Sequence, residues 1–160
     1  MRTSSAIISL LDKLFVSETT AIAQYQAHRF IAKNNGYDIL ADYFKEKSED
    51  EYHHWKKLAT RILFLEGVPS FGKTDPFEMS IDLEAQLSDD LAFENTVVAN
   101  LNAAIHELIC GENIDMDTAD LLQDILEDEI EHIDELEKTI RQIAAEGLDN
   151  FLSTMREKND

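Results

Sequence analysis

The sequence predicts an all-α fold: an antiparallel four-helix bundle with one long crossover and a short fifth helix near the C-terminus. Three observations predict it. All five glycines (Gly36, Gly67, Gly72, Gly111, Gly147) and both prolines (Pro69, Pro76) fall between segments rich in helix formers. No segment alternates with period two. Four segments carry apolar residues at spacings of three and four, and a glutamate interrupts each of these stripes near its middle.

The first helix is expected over 5–34, with the stripe Ile7, Leu11, Leu14, Glu18, Ile22, Tyr25. A short turn over 34–37 makes it an antiparallel hairpin with a second helix over 38–66, whose stripe is Leu40, Phe44, Lys47, Glu51, His54, Leu58, Ile62, Leu65. Lys47 marks where that stripe becomes more polar. Residues 67–80 hold both prolines and can cross the length of the bundle. A second hairpin follows, with helices over 81–109 (Leu87, Leu91, Glu94, Val98, Leu101, Ile105, Leu108) and 117–145 (Leu122, Leu126, Glu129, Ile133, Leu136, Ile140, Ile143). The fifth helix is expected over 148–156. Each long helix has about 28 to 30 residues, roughly 43 Å at about 1.5 Å per residue, so the four run alongside one another for their full extent.

The interruptions carry the chemistry. In an antiparallel bundle Glu18, Glu51, Glu94 and Glu129 come to a common height, facing inward. A buried carboxylate without a partner costs several kcal/mol, so four of them need positive charge between them. Two are followed three residues later by histidine, Glu51 by His54 and Glu129 by His132. That spacing puts both side chains on one helix face, where they can grip one ion. A single Glu-x-x-His is weak evidence. Two on alternate helices, level with single glutamates on the other two, point to a pair of metal ions. Four carboxylates balance two divalent cations, and oxygen-rich ligation with one imidazole per metal suits iron or manganese better than zinc. Six protein ligands for two ions leave open positions for dioxygen or peroxide. Without metal, like charges in a low-dielectric core should hold some protons.

Composition sets the context. A chain of 160 residues with 44% hydrophobic and 29% charged residues is large enough for one domain with its own core. A net charge of −19 with no basic stripe argues against nucleic acid; it permits cation gathering but by itself signals no more than solubility. No stretch approaches the roughly 20 apolar residues of a membrane span. Asp12 and Lys13 break the apolar run at 6–11 too early for a signal peptide, and the single cysteine, Cys110, suits a reducing compartment; both predict the cytoplasm. Cys110 itself reads as a small, semi-buried residue near a helix end.

These residues resemble the bacterioferritins of the ferritin-like superfamily. The resemblance runs through SETTAIAQYQAH at 17–28, the segment 51–67 ending in RILFLEG, DLAFE at 90–94, DEIEHID at 128–134 and GLDNFL at 147–152. It implies one ferritin-like di-iron domain over 1–160 and a ferroxidase centre holding two iron ions per subunit. Glu51 and Glu129 would bridge the irons, Glu18 and Glu94 would bind at the ends, and His54 and His132 would each complete one metal. It further implies a homo-oligomeric shell of twenty-four subunits around a ferric mineral, with the short helix at its fourfold axes. Tyr25 matches a family tyrosine that supplies an electron near the centre; a core aromatic with a bonded hydroxyl would occupy the same place.

Two positions depart from the family. The haem-ligating methionine that follows the second-helix glutamate is here Tyr52, so haem is not expected by that route. The histidine of the family's inner-surface iron site is here Glu46, with Asp50 retained, leaving a carboxylate pair there. His28, His53 and His106 lie off the constellation and are expected at the surface or an interface. Two other readings share parts of the pattern: a di-iron peroxidase or oxidase of the rubrerythrin kind without storage, and a non-enzymatic helical oligomer with titrating core glutamates. The absence of a Cys-x-x-Cys segment counts against the former.

Overall fold

The structure, a computed structural model, describes residues 4–156. The expected domain ran over 1–160, and its first three and last four residues lie outside the described ones. Helix α1 (Ser5–Asn34) matches its expected bounds and opens on Ser4, whose hydroxyl accepts from the Ala6 N–H at 3.2 Å. Helix α2 (Asp38–Phe64) stops two residues short of expectation. Glu66 turns into the left-handed region at φ 64°, and the Gly67 N–H closes on the Ile62 carbonyl at 2.9 Å. Helix α3 (Leu83–Cys110) starts two residues late because Asp82 caps it, accepting from Ala85 at 3.2 Å. Helix α4 (Met116–Glu146) is capped by Asp115, which accepts from Thr118 at 3.0 Å. The short α5 (Leu148–Ser153) ends three residues early, and the Met155 carbonyl beyond it accepts from the Ile39 N–H at 3.0 Å.

The crossover is pinned along α1. At Gly67 a Cβ would come 2.7 Å from the Ile8 Cγ2, so the chain can leave α2 this close to α1 only through glycine. Further on, the Ser70 N–H and hydroxyl donate to the Asp12 carboxylate at 2.8 and 2.7 Å, and the Asp75 N–H donates to the Thr20 hydroxyl at 2.8 Å. Those anchors climb α1 in chain order. They return the chain to the end where α1 finishes, so α3 runs antiparallel beside α1 and α4 packs beside α2.

Two apolar clusters fill the bundle. One is built around Leu11, Phe15, Leu58, Leu101 and Leu122, the other around Phe44, Leu87, Leu136 and Phe151. Along every long helix the inward glutamate falls between them. In α3 the core residue next after Glu94 is Val97, with Val98 only partly buried, a one-residue rotation of the expected stripe. Lys47 is buried, with its ammonium paired to Glu135 and 3.8 Å from Asp50.

Two expectations are corrected. Cys110 is exposed rather than semi-buried: it lies two residues past Leu108, off the buried face of α3. His28 is fully buried inside the bundle rather than at a surface or an interface, because it continues the inward face of α1 one turn beyond Tyr25. His53 and His106 are exposed.

Candidate metal centre

Each helix of the bundle delivers its glutamate to one level. The His54 Nδ1 lies 3.0 Å from Glu129 Oε1, 3.3 Å from Glu51 Oε2 and 3.8 Å from Glu18 Oε2. The His132 Nδ1 lies 3.0 Å from Glu51 Oε1, 3.0 Å from Glu129 Oε2 and 3.5 Å from Glu94 Oε1. Two groups result, Glu18, Glu51, His54, Glu129 and Glu51, Glu94, Glu129, His132, each with one ligand atom per residue within 4.8 Å of the others. Glu51 and Glu129 belong to both, so they sit where bridging ligands would. All six residues are at most 3% exposed.

The oxygens at this level are short of partners. Glu18 Oε2, Glu51 Oε1, Glu94 Oε2, both Glu129 oxygens and His132 Nδ1 are buried without a hydrogen-bond partner. Several have a neighbour at ion-pair distance but not the alignment of a hydrogen bond. Each such orphan costs about 1–3 kcal/mol, and two divalent cations would satisfy the set at once. The donor set therefore fits a pair of oxygen-preferring cations.

Protons carry the positive charge of the metal-free centre. Burial raises Glu18 well above the usual carboxylate range, with Glu51 and Glu129 adding to the effect. Burial and then Glu129 push Glu94 up to about 7, against the pull of His132. Glu51 is lowered: burial and Glu94 oppose this, but the adjacent imidazoles of His132 and His54 outweigh them. Burial alone would lower both imidazoles. Carboxylates win instead, Glu129, Glu18 and Glu51 raising His54, and Asp50, Glu129, Glu51 and Glu94 raising His132.

The outward nitrogens are held crosswise. His54 Nε2 on α2 meets Asp128 of α4 at 2.9 Å, and His132 Nε2 on α4 meets Asp50 of α2 at 3.2 Å. Such carboxylates fix the imidazole tautomer and turn Nδ1 toward the centre. Sequence reasoning passes over Asp128, though a signal exists: Glu-Asp-Glu-x-x-His occurs at 49–54 and again at 127–132. Asp50 thus faces His132, with Lys47 at 3.8 Å, while Glu46 is exposed one turn earlier. Neither belongs to the two groups of close ligand atoms. A cleft of about 900 Å³ between α2 and α4, lined by Asp50, Asp128 and His132, opens on this side of the centre.

A second buried network adjoins Glu94. The Tyr25 hydroxyl donates to Glu94 Oε1 at 2.6 Å, and burial followed by Glu94 raises its pKa well above 10. One turn before Glu94, Asp90 accepts from Gln24 Nε2 at 2.8 Å and pairs with His28 Nδ1 at 3.0 Å. Sequence reasoning misses this trio, although Gln24 and His28 share the inward face of α1 with Tyr25.

Four level glutamates and two paired histidines inside a bundle with one long crossover define a helical protein with a buried carboxylate–histidine centre that could hold metal. The comparisons with known proteins agree. The model of the ferritin-like domain family matches residues 8–145. A bacterioferritin of Mycolicibacterium paratuberculosis is 34% identical over 94% of both chains, and a bacterial ferritin of Synechocystis is 34% identical over 96% of this chain and 98% of its own. The solved bacterioferritin of Rhodobacter capsulatus, described with a metal-free dinuclear site and a haem iron, superposes with a TM-score of 0.94 at 30% identity, covering 100% of this chain and 99% of its own. The chain belongs to the ferritin-like family and, within it, to the bacterioferritins.

At the position where haem would be held through methionine, Tyr52 is 47% exposed and stacks on Trp55 with ring centroids 5.6 Å apart. It offers a phenol under the Lys56 ammonium, 4.7 Å from the ring centroid, rather than a thioether. This donor does not fit haem held by a methionine pair.

Proposed function

We propose that this chain is an iron-storage subunit and that its centre is a ferroxidase. Two Fe(II) ions enter as substrates, Glu51 and Glu129 bridge them, Glu18 and Glu94 bind at the ends, and His54 and His132 complete one metal each. The observation that carries this reading is the set of buried, unpartnered oxygens facing one another between the two Glu-x-x-His pairs.

As iron binds, the protons on the imidazoles and on Glu18 and Glu94 must leave, and the carboxylates are then free to ligate. The two ions give one electron each. Dioxygen with two protons becomes hydrogen peroxide; peroxide with two protons becomes two waters. Asp50 and Asp128 hold the histidines in register during the exchange, and Tyr25, bonded to Glu94, is placed to give an electron. Fe(III) then passes into a mineral inside a hollow homo-oligomeric shell of twenty-four copies in the cytoplasm. Haem takes no part through Tyr52.

Anaerobic Fe(II) titration followed by air tests the reading on particles of known mass. Saturation near two Fe(II) per chain and rapid oxidation are expected. Glu94→Ala or Glu129→Ala should slow oxidation sharply while the particle stays assembled. Unchanged rates in both variants would sink the assignment.

A further inference from the structure

We infer that the two ends of the centre are unequal: Fe(II) fills the Glu94–His132 position before the Glu18–His54 position, because Tyr25 and the Gln24–Asp90–His28 network hold Glu94 in place. The inference rests on the ferroxidase reading and adds an order of filling that the ligand set alone leaves open. The ligands are near-symmetric, since exchanging the hairpins carries Glu18 onto Glu94 and one Glu-x-x-His pair onto the other. The residues behind them are not. Asp90 stands four residues before Glu94, where Leu14 stands four before Glu18. Tyr25 and His28 come seven and ten residues after Glu18, where Leu101 and Ala104 come at the same distances after Glu94. Leu14, Leu101 and Ala104 are buried in one apolar cluster.

At the Glu94 end, the Tyr25 hydroxyl donates to Oε1 at 2.6 Å. Asp90 takes Gln24 Nε2 at 2.8 Å with one oxygen and His28 Nδ1 at 3.0 Å with the other. Gln24 and His28 are one turn apart on α1 with Tyr25 between them, so this clamp fixes the turn that bears the phenol against the turn of α3 that precedes Glu94. The Tyr25 and His28 rings also pack on Phe44 of α2, with centroids 6.5 and 5.4 Å away. Glu94 Oε2 stays without a partner. An ion can therefore take Oε2 while Oε1 keeps the phenol, and the bond that orients the carboxylate survives binding.

At the other end Glu18 Oε2 is equally unpartnered, but the aliphatic side chains of Leu14, Leu101 and Ala104 have no donor to orient it. The arriving ion must order Glu18 itself. The histidine geometry runs the same way. His132 Nδ1 lies 3.0, 3.0 and 3.5 Å from its three carboxylates, His54 Nδ1 3.0, 3.3 and 3.8 Å from its own. Immobilising one long side chain weakens binding by up to about tenfold, which sets the scale of the difference between the two positions.

The test is anaerobic calorimetric titration of the assembled protein with Fe(II). The parent should show two steps, each near one Fe(II) per chain, with the first about tenfold tighter. Glu18→Ala should keep the tighter step, and Glu94→Ala should leave only the weaker one. Tyr25→Phe keeps the ring on Phe44 and removes only the hydroxyl; Asp90→Asn keeps the shape of the clamp and removes its charge. Both should weaken the first step several-fold and leave the second unmoved, whereas general loosening of the bundle would lower both steps together. A single step of two Fe(II) in the parent, equal losses in the two alanine variants, or parallel weakening of both steps in Tyr25→Phe and Asp90→Asn would overturn the order of filling alone. Absence of Fe(II) binding in the parent would overturn the ferroxidase reading as well.

Discussion

Each imidazole of the centre is gripped on both nitrogens, inward by glutamates of both hairpins and outward by an aspartate from the facing helix. Asp128→Asn keeps the shape of that outward support but replaces a charged acceptor with an amide free to flip. Fe(II) affinity should fall about 10- to 100-fold in anaerobic titration; an unchanged isotherm would deny Asp128 its positioning role. The protons stored at the centre predict a pH dependence of opposite sign for stability and for binding. Glu94 is raised from 4.5 to about 7, and both histidines lie above 6.5. Groups raised by folding stabilise fully below their unfolded values and lose that contribution as pH climbs through the folded ones. The metal-free protein should therefore melt at lower temperature as pH rises from about 6 to about 8, while Fe(II) binding, which expels those protons, tightens. A calorimetric series with and without Fe(II) checks both slopes, and parallel slopes would contradict the proton inventory. At this scale the six inward residues were legible because a charge on an apolar stripe is visible in one dimension. The crosswise aspartates and the Gln24–Asp90–His28 trio were not, since their partners are on other helices.

Helix existence was legible from periodicity, and helix ends depended on local chemistry. Asp82 and Asp115 set the starts of α3 and α4 as caps, and the left-handed Glu66 helps end α2 before the expected residue. Asp115 does more than cap. Its carboxylate takes the Arg61 guanidinium at 3.1 and 3.2 Å and the Thr118 hydroxyl at 2.6 Å, fastening the end of α2 to the start of α4. These bonds hold Asp115 below the usual carboxylate range against the opposing effect of burial. Asp115→Ala should cost about 1–2 kcal/mol, lowering the melting temperature by roughly 2–4 °C per kcal/mol in a chain of this size. A thermal melt indistinguishable from the parent would remove Asp115 from the account of how α4 is anchored. The one-residue rotation at Val97 shows the limit of stripe reading. Where Val97 and Val98 are both apolar, the facing helices decide which is inward, and composition is silent.

For the molecule as a whole, each hairpin brings one single inward glutamate, one Glu-x-x-His pair and one outward aspartate. Neither half holds a complete ligand group: each group of four takes a carboxylate from the other hairpin. Packing is also denser within the hairpins than between them. Bound metal would act as a clasp across the sparsest seam of the protein, where the covalent tie is only the crossover, exposed over 71–79. A protease cut there turns the clasp into something measurable. The two fragments of a nicked chain should stay together to higher urea when loaded with Fe(II) anaerobically than after chelation. Equal urea midpoints would mean that apolar packing alone joins the halves. Storing iron and staying whole are, on this architecture, one mechanical property.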